Sequence, residues 1–172
     1  MNLLFYLMCG FAFLGSLDIG YFHLYRFRLY KVRMSRWEHV THLVRELLFM
    51  AVFFWVMFVK AQGPIALILP ALLLFDLLNS VADVLLEPKS RLSLGGLPSG
   101  EYLVHMTSMF VSGAITALAW VECWRTVRWE NQWSLGFLGV PLLALAVGVQ
   151  LLIGTAILFL LEAVLFARGS KR

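Results

Sequence analysis

"PIALILPALLLFDLLNSVADVLLE", residues 64–87, decides the fold. Its first half carries no ionisable group, and its second half adds only Asp76, Asp83 and Glu87. A run this apolar meets the ~20 residues a helix needs to cross ~30 Å of hydrocarbon. Asp76, Asn79, Asp83 and Glu87 recur at steps of three and four, so they form one stripe along such a helix. An acid turned toward lipid costs about 2.5–3.5 kcal/mol on insertion scales. The stripe therefore has to face other helices, and the fold has to be a bundle with a polar interior.

The rest of the chain supplies those helices. It has 172 residues, 61% of them hydrophobic and only 14% charged, against about a quarter charged in soluble domains. The mean hydropathy is +0.84. The apolar runs predict spans over about 3–25, 38–60, 64–86, 101–122 and 141–166. The expectation is an all-α integral membrane protein, residues 1–172 forming a single transmembrane domain. "MNLLFYLMCGFAFLGS", residues 1–16, lacks a basic leader and an A-x-A cleavage site, so it reads as a retained first span. Trp133–Val140 reads as an interfacial lead-in, since 133–166 is too long for one straight span. Cys9 and Cys123 form no ligand motif and read as packing residues, with a disulfide between them left open.

Basic residues set the orientation. Arg26, Arg28, Lys31, Arg33 and Arg36 fill the first loop, Lys89 and Arg91 the third, and Arg168, Lys171 and Arg172 the tail. Lys60, Arg125 and Arg128 fall on the other side. The positive-inside rule puts the N-terminus outside and the C-terminus in the cytoplasm, with a bacterial plasma membrane as the expected location. Trp120, Trp124, Trp129 and Trp133 form an outer aromatic girdle, and Trp37 marks the inner interface.

The polar residues then gather at one depth. "SRWEHVTHLVRE", residues 35–46, opens the second span with two histidines and two acids. His39, His42 and Glu46 lie within about 60° of one another on a helix. Glu101, His105, Ser108 and Ser112 make a stripe on the fourth span. In the first span Asp18 and Tyr25 share a face, whereas α-helical winding turns His23 roughly 140° away from Asp18. Glu122, Glu130 and Glu162 are read as lying apart from this group, and Glu87 as a structural residue of the loop.

Carboxylates and imidazoles converging in an apolar bundle suit a metal. A cation offsets both the lost hydration and the mutual repulsion of the acids. Helical bundles that hold two iron or manganese ions use about four carboxylates and two histidines from facing helices. Here Asp18, His39, His42, Glu46, Asp76, Asp83, Glu101 and His105 are the candidate metal ligands. Arg36, Arg45, Tyr25, Tyr102 and Asn79 are candidate supporting or lipid-phosphate residues, with Tyr21 a further donor. Arg36 and Arg45 are expected to meet lipid phosphate or to pair with Glu38 and Glu87. Iron is the leading cofactor, with manganese or zinc as alternatives. Haem held by His42 and His105 is disfavoured by the surrounding acids.

One resemblance is local. Residues 35–46 fit S-R-x5-H-x3-E, similar to the S-R-x5-H-x3-D element of type-2 phosphatidic acid phosphatases. "PSGE", residues 98–101, resembles their P-S-G-H with Glu101 in place of the histidine. The resemblance implies that His42 is a phosphoryl-accepting nucleophile oriented by Glu46, with Arg36 on the phosphate. The two elements stand in reverse order here, and the upstream K-x6-R-P element is missing.

The leading functional expectation is a di-iron-type oxidoreductase (a hydroxylase, desaturase or oxidase) acting on a hydrophobic substrate at the cytoplasmic side. Its partners would be membrane lipids, that substrate and a redox donor. The alternatives are an ion- or proton-coupled transporter or accessory subunit, and then a lipid phosphatase. The net charge of +4 follows from the basic loops and implies no nucleic-acid role. Substrate, metal count and oligomeric state are not encoded in any motif.

Overall fold

Pro64 closes a loop and opens the third helix, where a missing N–H costs little. The same logic of apolar runs ended by Gly, Pro and charge produces the other elements. A computed structural model describes residues 1–92 and 95–169; Lys171 and Arg172 of the basic tail lie outside the described residues. Helix α1 covers Asn2–Ser16 and runs on into a π-wound segment, Leu17–Arg26. Then come α2 (Arg36–Phe58), α3 (Ile68–Ser90), α4 (Ser99–Thr126) and α5 (Leu142–Gly169). Single 3-10 turns at Leu29–Lys31, Arg33–Ser35 and Pro64–Leu67 join them. All five helical stretches are long and apolar enough to cross a membrane. Cys9 and Cys123 are both free thiols.

The end of α1 departs from α-helical winding, and this matters for the site. In Leu17–Arg26 the backbone bonds from residue i to i+5, as in Phe27 N–H to the Phe22 carbonyl at 2.9 Å. Ser16, just before the segment, donates its hydroxyl back to the Ala12 carbonyl at 2.8 Å, a contact that competes with the helical ladder. Gly20, inside the segment, lowers the intrinsic preference for the α form.

The second span starts and ends two residues earlier than expected from the sequence. Helix α2 ends at Phe58, and Val59–Gln62 become strand β1, paired antiparallel with β2, Gln132–Leu135. The lead-in before α5 is thus in part a strand, in an otherwise helical protein. Gly63 turns the chain out of the ribbon at φ 76°, and a Cβ there would sit 2.8 Å from the carbonyls of Trp129 and Glu130. Only glycine fits that turn.

Helix α2 packs against α3 and α5, and α1 packs against α4 and α5. Toward the ribbon lies an apolar core that includes Phe5, Met8, Phe53, Val56, Met57, Leu73 and Ile115. Gly148 lets α5 approach α1 closely: a Cβ there would meet the Phe5 ring at 2.7 Å. The outward faces are apolar too, with Phe75, Leu85, Phe110, Leu143 and Ile157 among the exposed side chains. The opposite end carries the α1–α2 and α3–α4 connections, with their Arg and Lys residues.

Candidate metal centre

The polar stripes meet at this basic end. Asp18 and His23 come from the π-wound part of α1, and Glu38, His39, His42 and Glu46 from α2. Asp76 and Asp83 come from α3, Glu101 and His105 from α4, and Glu162 from α5. All of these except His105 are buried.

Asp18, His23, Glu101 and His105 each bring a donor atom within 4.8 Å of the others. His105 is held from both sides: its Nδ1 lies 3.0 Å from Glu87 Oε1, and its Nε2 lies 3.0 Å from Asp18 Oδ2. The Asp18 contacts are hydrogen bonds, whereas Glu87 Oε1 is a close charged neighbour of Nδ1 without hydrogen-bond alignment. Carboxylates thus flank both ring nitrogens, as around metal-binding histidines. His23 Nε2 lies 3.1 Å from Glu101 Oε1 and 3.5 Å from Asp18 Oδ1. Oxygen Oε2 of Glu101 has no hydrogen-bond partner among the described residues.

Arg91 is buried beside this group. Its Nη2 donates to Glu101 Oε1 and lies 3.2 Å from His23 Nε2. Its Nη1 lies 2.9 Å from Glu38 Oε1 and 3.1 Å from Oε2. One guanidinium thus joins α2 and α4 through two carboxylates, leaving Glu101 Oε2 directed elsewhere.

A second group abuts the first. Donor atoms of His23, Glu38 and His42 all lie within 4.8 Å of one another, and the His23 and His42 rings are 4.3 Å apart. His42 Nε2 faces Asp83 Oδ1 at 3.5 Å. Asp83 also receives the Thr41 hydroxyl at 2.6 Å and Arg45 Nη1 at 3.3 Å. Arg45 Nη2 donates to Ser80 Oγ at 3.0 Å, and Asn79 Nδ2 to the Thr41 carbonyl at 2.8 Å. Asp83, Arg45 and Asn79 therefore brace α2 against α3.

Of the eight candidate ligands, Asp18, His42, Glu101 and His105 enter these two groups, and His39, Glu46, Asp76 and Asp83 do not. His39 Nε2 lies 3.7 Å from Glu162 Oε2. Both oxygens of Glu46, and Oδ1 of Asp76, have no hydrogen-bond partner among the described residues. Tyr25 and Tyr102 are 71% and 56% exposed and point away from the site. The π winding breaks the seven-residue register between Asp18 and Tyr25, and Tyr102 follows Glu101 directly and so takes another face. Arg36 pairs with neither Glu38 nor Glu87; its guanidinium lies 5.4 Å from the Phe166 ring centre. Glu38 pairs instead with Arg91, and Arg45 with Asp83.

Five residues of the centre escape the sequence reading. His23 joins because a π helix brings residues five apart onto one face. Glu38 is buried rather than interfacial. Glu87 and Arg91 lie one helical turn apart, and the chain stays wound past Pro88, with Arg91 N–H bonding the Glu87 carbonyl at 3.0 Å. Glu162 had a signal that was available: a lone acid in the most apolar span.

A cavity of about 80 Å³ opens against the centre and is lined by all five helices. Asp18, His42, Glu46, Asp83 and His105 line its polar end; Phe11, Ile19, Phe49, Met109 and Leu158 are among its apolar walls. Comparison of the chain with protein-family models, with curated proteins and with solved structures returns no match.

Proposed function

We propose that this chain is a membrane protein that holds a metal ion among Asp18, His23, Glu101 and His105, and works as an oxidoreductase on a hydrophobic, lipid-like substrate. The observation that carries the reading is His105, with Glu87 on Nδ1 at 3.0 Å and Nε2 aimed into the group of donors. Two imidazoles and two carboxylates suit iron, manganese or zinc, and iron would supply the electron steps of such chemistry. The protein's own residues do the rest. Glu87 orients His105, and Arg91 holds Glu101 by one oxygen and leaves the other for a cation. The cavity's apolar walls admit a hydrocarbon chain, and its polar end presents the chain to the centre.

The apolar core that includes Phe5 and Ile115 favours a one-sided site over a polar path through the bundle. The chain Glu87–His105–Asp18–His23 also fits a proton relay, which keeps transport as the second reading. The test is elemental analysis of purified protein, with optical spectra before and after reduction. Bound iron or manganese with a redox-dependent spectrum supports the reading. Zinc alone would remove the oxidoreductase and keep the metal, and protein free of metal after metal-replete expression would remove both.

A further inference from the structure

Beside the proposed ion site lies a second, smaller cavity of about 10 Å³. That is close to the space one water or ion needs. Five ionisable side chains line it: His23, Glu38, His39, His42 and Glu162, with Leu24 and Leu29 completing the wall. All five are more than nine-tenths buried; Glu162, the most enclosed with Glu38, is 1% exposed. Among the described residues, Glu162 has one ion-pair neighbour, His39, whose Nε2 is 3.7 Å from Glu162 Oε2. That distance is too long for a hydrogen bond. Neither atom has another hydrogen-bond partner among the described residues, and neither does either ring nitrogen of His42.

A buried carboxylate without a partner is costly, and so is a buried imidazole nitrogen without one. The protein places several such atoms around one small space. Glu38 reaches the same space with its carboxylate already gripped by Arg91 at 2.9 Å, which orients it as a supported ligand. Helix α5 is otherwise a plain apolar span, and Glu162 is its only acid. Of the five side chains lining the cavity, His23, Glu38 and His42 bring donor atoms within 4.8 Å of one another. From that group and the unpartnered atoms beside it we propose that the small cavity is a second divalent-cation site, with Glu38 and His42 as its ligands in place and His39 and Glu162 closing on the ion by side-chain movement.

The two sites then have matching donor sets, each with two imidazoles and two carboxylates. His23 stands between them, a ligand of the first and a wall of the second, so the two ions would form one centre. Mixed imidazole and carboxylate donors select a borderline transition metal over calcium or magnesium. This inference rests on the metal reading of the first site and adds the second ion and the role of α5.

The test uses full-length protein in detergent, stripped with chelator and titrated with Co(II), whose visible absorption reports bound ion. The wild type should take up about two equivalents, as two-metal bundles do. Glu162→Gln should take up about one, with the first site's spectrum kept. His39→Gln should do the same, and it decides the matter if Glu162→Gln is not monodisperse by gel filtration. His105→Ala should lose the other equivalent. A wild type that takes up one equivalent, lost in His105→Ala but not in Glu162→Gln or His39→Gln, overturns the second site and keeps the first. Two equivalents that survive both second-site variants also overturn it. A wild type that takes up none overturns the metal reading as a whole.

Discussion

Asp18 and His23 stand five residues apart on one helix, yet their side chains meet, with His23 Nε2 3.5 Å from Asp18 Oδ1. An α-helix would hold them on different faces; the π winding of Leu17–Arg26 brings them together. Winding of this kind recurs at functional sites. Here it brings a histidine into the candidate centre.

The winding can be tested by changing the spacing. Deleting Gly20 leaves Asp18 and the histidine four apart, which share a face in an ordinary α-helix. Inserting one alanine after Gly20 leaves them six apart, which do not. The deletion should therefore retain bound metal better than the insertion, read as metal per protein after purification. Equal retention in both would mean that His23 is not a ligand.

Among the described residues eight Lys and Arg lie at the end with the α1–α2 loop against three at the ribbon end, so a cytoplasmic C-terminus is expected. A C-terminal reporter that fluoresces only in the cytoplasm should light up. The same reporter placed in the loop between α2 and α3 should stay dark. The reverse pattern would put the candidate centre on the outer side.

Arg91 compensates two buried carboxylates, Glu38 and Glu101. Arg91→Met should destabilise by about 3–5 kcal/mol, because it leaves buried charge without its partner. Thermal melting in detergent should show a clear fall in midpoint, part of which Glu38→Gln in the same chain should recover. A melt unchanged from wild type would show that the carboxylates are compensated by something else.

His42 separates the metal and phosphatase readings. As a ligand it also faces Asp83, so His42→Ala should lower bound metal and thermal stability together. As a nucleophile it would leave metal content unchanged. Its carboxylate neighbour in the structure is Asp83 rather than Glu46, and Arg36 lies over Phe166, a geometry unlike the one the phosphatase pattern implies. Glu101→His, which completes "PSGH", should accordingly release no phosphate from phosphatidic acid and should lose metal.

Much of the architecture was legible in the sequence because hydrocarbon imposes simple rules. Lengths of apolar sequence predicted five helices of spanning length, and the cost of an ionisable side chain in lipid turned Asp76, Asp83 and His105 toward a common interior. The gathering of carboxylates and imidazoles at one end followed from α-helical spacing in α2, α3 and α4. What the tertiary structure decided lies where that spacing fails or where partners come from distant elements. His23 depends on a local change of winding that propensity does not predict. Arg91 looked like a loop cation until the fold set it between Glu38 and Glu101, 53 and 10 residues away along the chain. Glu162 meets His39 only because α5 packs on α2. Periodicity tells which side chains share a face of one helix. Which faces meet, and which single charge from another helix completes a site, depends on how the helices pack against one another.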